Sequence, residues 1–278
     1  MSGKRPQGAF TLIELLVVIA IIGILAALIL SALSKAKMRA TVATCLANQK
    51  QLLTAWIMCA DDHGDLIPGS DCTSAEDWRI DVMALTATPP GNLDALSTAI
   101  WQAEEGYKEG QLYPFAQNPK IIHCPGDPRP LSTLGNPGFD SYSMPEGLNS
   151  ASGHFVPIVK RSQIMHPSDR FVFIEEFDSR GDNQGSWWMN DTGPTVGYQG
   201  SSWIDSPATF HNRASSFAWA DGHASNRRWL ADDTVDFAAS TDPSKFNHPP
   251  DPPDNPDIMF VATGFPFLGS SASDPGNP

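Results

Sequence analysis

The stretch that most constrains this chain is Phe10–Leu33, FTLIELLVVIAIIGILAALILSAL, 24 residues with a single charge at Glu14. A helix rises about 1.5 Å per residue, so the run spans roughly 36 Å, enough to cross the hydrocarbon core of a bilayer. A carboxylate near the start of such a span costs about 2.5–3.5 kcal/mol on insertion scales and calls for a partner. A secretory signal peptide has a shorter apolar core with a small-residue cleavage site behind it. Here the run is longer and the helical pattern continues past it. A generic single-span anchor requires no carboxylate near its start. A short basic leader, MSGKRPQGA with Lys4 and Arg5, precedes the run.

Leader, Phe10-Thr11-Leu12-Ile13-Glu14 and apolar run together resemble the type IV prepilin signal shared by pilins and the pseudopilins of type II secretion. The resemblance implies that prepilin peptidase cuts between Ala9 and Phe10, that the new amino terminus is N-methylated, and that the helix associates with other pilin or pseudopilin subunits. That family has Gly before the cut, where this chain has Ala9 with Gly8 one residue further back. Cutting before Phe10 keeps Glu14 in register; cutting after Gly8 shifts it by one. The resemblance also implies a single-pass inner-membrane protein with a cytoplasmic leader and a periplasmic or extracellular domain, or a surface filament once assembled. Charge alone leaves the orientation open, because Lys35, Lys37 and Arg39 behind the span rival Lys4, Arg5 and the amino terminus.

Beyond Ser34 the apolar period changes without a break. Met38, Val42, Cys45, Leu46, Gln49, Leu52, Leu53, Trp56, Ile57 and Ala60 mostly follow three- and four-residue steps, a one-sided stripe that asks for a partner surface. No proline lies between Pro6 and Pro68, so one helix is expected from about Phe10 to Ala60. The chain divides into a leader (1–9), a transmembrane helix (10–34), its amphipathic continuation (35–62), a soluble domain (63–238) and a Pro/Asp-rich tail (239–278), partly disordered. The expected fold is α+β: a long amino-terminal helix laid on an antiparallel sheet with long loops. With 278 residues there is room for a real core beyond the span. The net charge of −13 excludes nucleic acid as a partner, since that needs a basic face.

The cluster Asp61-Asp62-His63-Gly64-Asp65, with Asp71 nearby, ends the helix. Some pseudopilins carry calcium in their soluble domain, but this cluster lacks the alternation and closing Glu of a dedicated calcium loop, and a solvated turn explains it. No other cofactor is expected. A short helix is expected over Leu93–Glu104, and strands over His154–Val159 and Arg170–Ile174. Trp187, Trp188, Tyr198 and Trp203 fall in a long irregular insertion, either a sugar-stacking cleft or aromatics packed under a loop. Near the carboxyl end, Ile258–Leu268 is a candidate edge strand.

Phe217-Ala218-Trp219-Ala220 running into Asp221-Gly222 reads as a strand entering a two-residue type I′ hairpin. His211, nine residues and then Asp221-Gly222 resemble a carboxyl-terminal signature of large pilin-like proteins of planctomycetes and their relatives. His211, Asp221 and His223 admit a metal reading, but the turn explains Asp221-Gly222 without one, and a hydrogen-bonded structural histidine explains His211. Four cysteines lack the close pairing of a zinc site. Cys45 and Cys59 are roughly 21 Å apart on one helix and cannot bridge each other. Cys124 opens a rigid Pro-Gly turn, so the expected disulfides are Cys45–Cys124 and Cys59–Cys72.

Two functions compete: a filament or pseudofilament subunit, signalled by Glu14 behind Phe10, and a membrane-tethered module binding carbohydrate or another solute through the aromatic insertion. Gly-x-Ser-x-Gly, HExxH, P-loop and Rossmann patterns do not occur, so no enzyme is expected.

Overall fold

With no proline after Pro6 until Pro68, nothing interrupts helical hydrogen bonding across the apolar and amphipathic stretches. The computed structural model describes residues 12–82, 84–129, 139–151, 156–177, 185–190, 202–240 and 255–266. It has one helix here, α1 (Leu12–Asp62). Gly64 (φ 64°) and Asp65 (φ 76°) turn left-handed behind it, and the Asp65 N–H reaches back to Ala60 O at 2.7 Å, which ends the helix. Up to Ala40 the chain is one unit, in which α1 exposes its side chains all round and is apolar and long enough to cross a membrane.

From Thr41 a second, compact unit begins. Here α1 buries one side only: Cys45, Gln49, Leu52, Leu53, Ala55, Trp56, Cys59 and Ala60. That is the expected stripe, and its partner is a sheet. Five strands, β1 (Tyr142–Pro145), β2 (Phe171–Glu175), β3 (Ser186–Trp187), β6 (Ala214–Trp219) and β7 (Ala224–Arg228), lie in the order β3-β1-β2-β6-β7. A separate pair joins β4 (Met189–Asn190) to β5 (Ser202–Trp203). The main sheet is mixed rather than purely antiparallel, since β3 runs parallel to β1. With one edge of β2 taken by β6, the chain leaving β2 reverses and returns along the outer edge of β1.

Both sheet faces are covered. Val172, Phe173 and Ala218 pack with the buried face of α1, with Trp78, and with Tyr107 of α2 (Ala95–Glu109). Phe171, Ile174, Phe217 and Trp219 pack with Phe237 of α3 (Asp232–Ala238) and with Ile258, Val261 and Ala262 of α4 (Pro256–Gly264). Strict alternation would not divide β2 this way; a register shift between Phe171 and Phe173 lets it do so.

Several expectations need correction. Helix α2 extends to Glu109, beyond the expected Glu104, and starts on Asp94, whose carboxylate accepts from Ser97 N at 2.7 Å. The expected strand over His154–Val159 lies partly outside the described residues, and Ile158 makes only an isolated bridge to Leu148. The Ile258–Leu268 edge strand is instead helix α4 as far as Gly264. Asn255 caps it by accepting from Asp257 N and Ile258 N, and Pro256 occupies its first turn, so local start signals outweigh the strand-like composition. The Asp221-Gly222 turn is a three-residue loop rather than type I′: Gly222 alone has positive φ (102°), and Trp219 N–H donates to His223 O at 2.9 Å.

Because Leu53 is fully buried against the sheet, Leu53→Ala is expected to destabilise the compact unit by about 2–5 kcal/mol. Leu28→Ala, at a side chain 64% exposed, should leave its unfolding unchanged. Denaturant titration of the detergent-solubilised chain, followed by tryptophan fluorescence, checks both.

Candidate functional site

Where α1 meets the sheet, four chemically reactive side chains share one buried point. Cys45 comes from α1, Cys124 from the turn after a short 3-10 helix (Pro119–Ile122), Glu175 from the end of β2, and His211 from the turn before β6. One ligand atom from each lies within 4.8 Å of all the others, and all four residues are buried.

Local structure explains each placement. Ile174 points to the α3–α4 face, so the next residue, Glu175, turns to the α1 face. Its Oε2 accepts from Ser216 N at 2.7 Å, and its Oε1 lies 2.9 Å from His211 Nε2. His211 is held by a tight reversal in which Asn212 (φ 57°) and Arg213 (φ 63°) are both left-handed and His211 N–H donates to Ala214 O at 3.3 Å. Cys124 Sγ lies 3.6 Å from the same Nε2 and accepts from Gly126 N at 3.3 Å, inside the Cys-Pro-Gly turn. Cys124 N–H donates to Ser141 Oγ at 3.0 Å, and that hydroxyl donates to the buried Asp127 at 2.7 Å. On α1, Gln49 sits one turn beyond Cys45 and donates to Ser216 O at 2.8 Å, which pins the helix to the same strand.

The electrostatics are those of a cluster sharing protons. A hydrogen bond from Cys124 lowers Cys45 to about 7, against burial and the Glu175 charge, with His211 and Tyr142 helping. Cys124 is pushed up by the same shared proton and by burial. Burial works against charge on His211, but hydrogen bonds and charge from Cys45 and Glu175 outweigh it and hold the imidazole up to about 10. Two sulfurs, a ring nitrogen and a carboxylate oxygen form a donor set able to hold a metal.

The sequence-singled residues therefore separate. His211 belongs to this cluster, whereas Asp221 and His223 pair with each other at 2.6 Å on the hairpin loop, with the His223 side chain 48% exposed. Cys45 and Cys124 come together within 4.8 Å, and all four cysteines stand as free thiols here, so neither expected disulfide is shown. Cys59 lies 3.6 Å from His63 Nδ1, and Cys72 lies 3.4 Å from Ser70 O. The acidic residues after α1 also have separate partners: Asp61 holds Arg161 at 2.6 Å, Asp65 accepts from Ser162, and Asp71 accepts from Ala151 N at 2.6 Å. Trp187 and Trp203 are fully buried against Phe265 and Trp229 rather than lining a cleft, and Tyr198 lies outside the described residues. Glu175 escaped the sequence reading altogether; its signal was a carboxylate closing the apolar run FVFI.

At the other end of the chain, Glu14 lies on the exposed first part of α1, while Ala9 and Phe10 lie outside the described residues. Residues 4–30 match the family described as a prokaryotic N-terminal methylation motif. The match supports a type IV prepilin- or pseudopilin-type subunit that is processed and methylated at its amino terminus. No curated protein and no solved structure matches the chain.

Ser141 accepts from Cys124 N–H and donates to Asp127, so Ser141→Ala leaves a buried N–H and a carboxylate each short of a partner. The expected cost is about 1–3 kcal/mol, read as a lower denaturation midpoint with an unchanged m-value.

Proposed function

We propose that this prepilin-type chain is a structural subunit rather than an enzyme, built into a type IV pilus or a type II secretion pseudopilus. In this reading prepilin peptidase cuts between Ala9 and Phe10. The first part of α1 holds the subunit in the inner membrane, and the unit from Thr41 onward lies on the periplasmic or extracellular side. The observation that carries it is the methylation motif at the head of an apolar helix. Leu12 to Leu33 exposes large apolar side chains on every side, a surface that water does not tolerate over such an area. Lipid covers it before assembly, and the helices of sister subunits cover it afterwards.

Glu14 supplies the register. Cleavage before Phe10 creates a positive α-amino group near the apolar layer, and in a staggered bundle the amino terminus of one subunit can face Glu14 of the next. In low dielectric, desolvation offsets much of the attraction within such a pair, so it serves alignment between helices more than net stability. No observation favours the carbohydrate-binding alternative, and two of the aromatic residues it called on, Trp187 and Trp203, belong to the core.

Glu14→Ala should be processed, exported and folded like the parent yet fail to enter filaments. With both forms expressed at equal levels, sheared surface fractions and membrane fractions report the partition, and mass spectrometry of the amino-terminal peptide reports a methylated Phe10. Unchanged filament incorporation by the alanine form would remove the proposed role of Glu14.

A further inference from the structure

We propose that Cys45, Cys124, Glu175 and His211 form a structural zinc site that clips α1 to the sheet. The donor set is two thiolates, one imidazole and one carboxylate, all ordinary ligands of this borderline-soft ion. Zinc bonded to sulfur at about 2.3 Å and to nitrogen or oxygen at about 2.0–2.1 Å in tetrahedral geometry sets its ligand atoms roughly 3.3–3.8 Å apart. Here Cys124 Sγ and His211 Nε2 are already 3.6 Å apart, His211 Nε2 and Glu175 Oε1 are 2.9 Å apart, and no pair exceeds 4.8 Å. Metal entry therefore requires the histidine and glutamate to part by a few tenths of an ångström and any pair near the 4.8 Å limit to close by about 1 Å, with the thiol and imidazole protons released to solvent.

Two buried thiols side by side would also suit a disulfide, the pairing expected from sequence. A disulfide accounts for the two sulfurs, and the His211–Glu175 contact at 2.9 Å with the Ser216 N–H accounts for the buried carboxylate, but neither by itself gathers all four donor atoms at one buried point; a single divalent cation uses all four. Three anionic ligands against one Zn²⁺ leave a single excess negative charge. Two backbone donors are aimed at it: Ser216 N–H to Glu175 Oε2 at 2.7 Å and Gly126 N–H to Cys124 Sγ at 3.3 Å. Four protein ligands fill the tetrahedron and leave no position for water or substrate, which makes the site structural rather than catalytic. Its ligands come from α1, the Cys-Pro-Gly turn, the end of β2 and the turn before β6, so one ion joins the helix to three segments of the domain. Sequence spacing hides it, since no two of the four are close neighbours in the chain.

The test uses the full chain, reduced and freed of metal in detergent, titrated separately with Zn²⁺ and with Co²⁺ as a spectroscopic probe. The expected result is one equivalent bound per chain, a thiolate-to-cobalt charge-transfer band with tetrahedral ligand-field intensity, and a thermal midpoint that rises with zinc and falls with chelator. Cys124→Ser and His211→Gln should each weaken binding by at least about tenfold and diminish those bands, whereas His223→Gln, on the exposed hairpin loop, should bind as the parent does. Should a ligand variant fail to fold, the parent's stoichiometry and cobalt spectrum decide alone. Sub-stoichiometric binding, a cobalt spectrum without sulfur ligation, or a Cys45–Cys124 disulfide in protein isolated under zinc-replete conditions would each overturn the proposal.

Discussion

Burial of one side of α1 between Cys45 and Ala60 against the sheet is the contact from which the rest of the compact unit is laid out. Leu52, Leu53 and Trp56 are fully buried there, and each such side chain contributes about 1.5–3 kcal/mol by leaving water. Because α1 covers one face, the strands must satisfy the other face independently. Helices α3 and α4 do so, with a largely aromatic layer in which Phe171 touches Trp187, Phe217, Trp219 and Phe265 edge to face. Covering both faces explains why β2 is FVFI with no polar alternation.

Into that apolar contact the chain inserts polar groups at two successive turns of α1. Gln49 donates to Ser216, and one turn earlier Cys45 meets Cys124, Glu175 and His211. An apolar stripe alone would tolerate sliding of the helix by a turn, because dispersion and area burial carry little directional information. Hydrogen bonds to a named strand atom do not tolerate it, since a shift leaves buried donors and acceptors unmet. Polar contacts of this kind fix which turn of α1 faces which strand, while the surrounding leucines and tryptophans supply the attraction.

Much of this was legible in residues close together in the chain. The apolar run, its single carboxylate and the change to a one-sided stripe fixed α1 and the face that packs, because helix periodicity is a local property. The strand at Phe171 was legible for a similar reason, since a short continuous apolar run suits a strand covered on both faces. Sheet order was not, because the parallel pairing of β3 with β1 depends on which edges remain free after β6 has paired. Helix α4 was misread because Ile258-Met259-Phe260-Val261 has strand-like composition, although Asn255 and Pro256 carry the start signal of a helix. The four-residue cluster was beyond any local reading: Cys45 to His211 spans most of the domain, and only folding brings the four atoms together. Even so, the His-x9-Asp-Gly spacing marks His211, and the Cys-Pro-Gly turn marks Cys124 as a partner for Cys45.

A single helix here answers to two solvents, and the change falls where its charges fall. Up to Leu33 every direction is apolar, which suits lipid or a bundle of like helices. Lys35, Lys37 and Arg39 then interrupt the pattern, and from Thr41 only one side is withdrawn from water. The two stretches are thus stabilised by different means. Burial on the sheet, together with the polar cluster, secures residues 45–60 within the compact unit, whereas residues 12–33 depend on whatever apolar medium surrounds them. The hydrogen bonds of Gln49 and His211 lie within the compact unit and Glu14 lies on the exposed apolar stretch, so a change in the medium around residues 12–33 acts on Glu14 and not on those bonds.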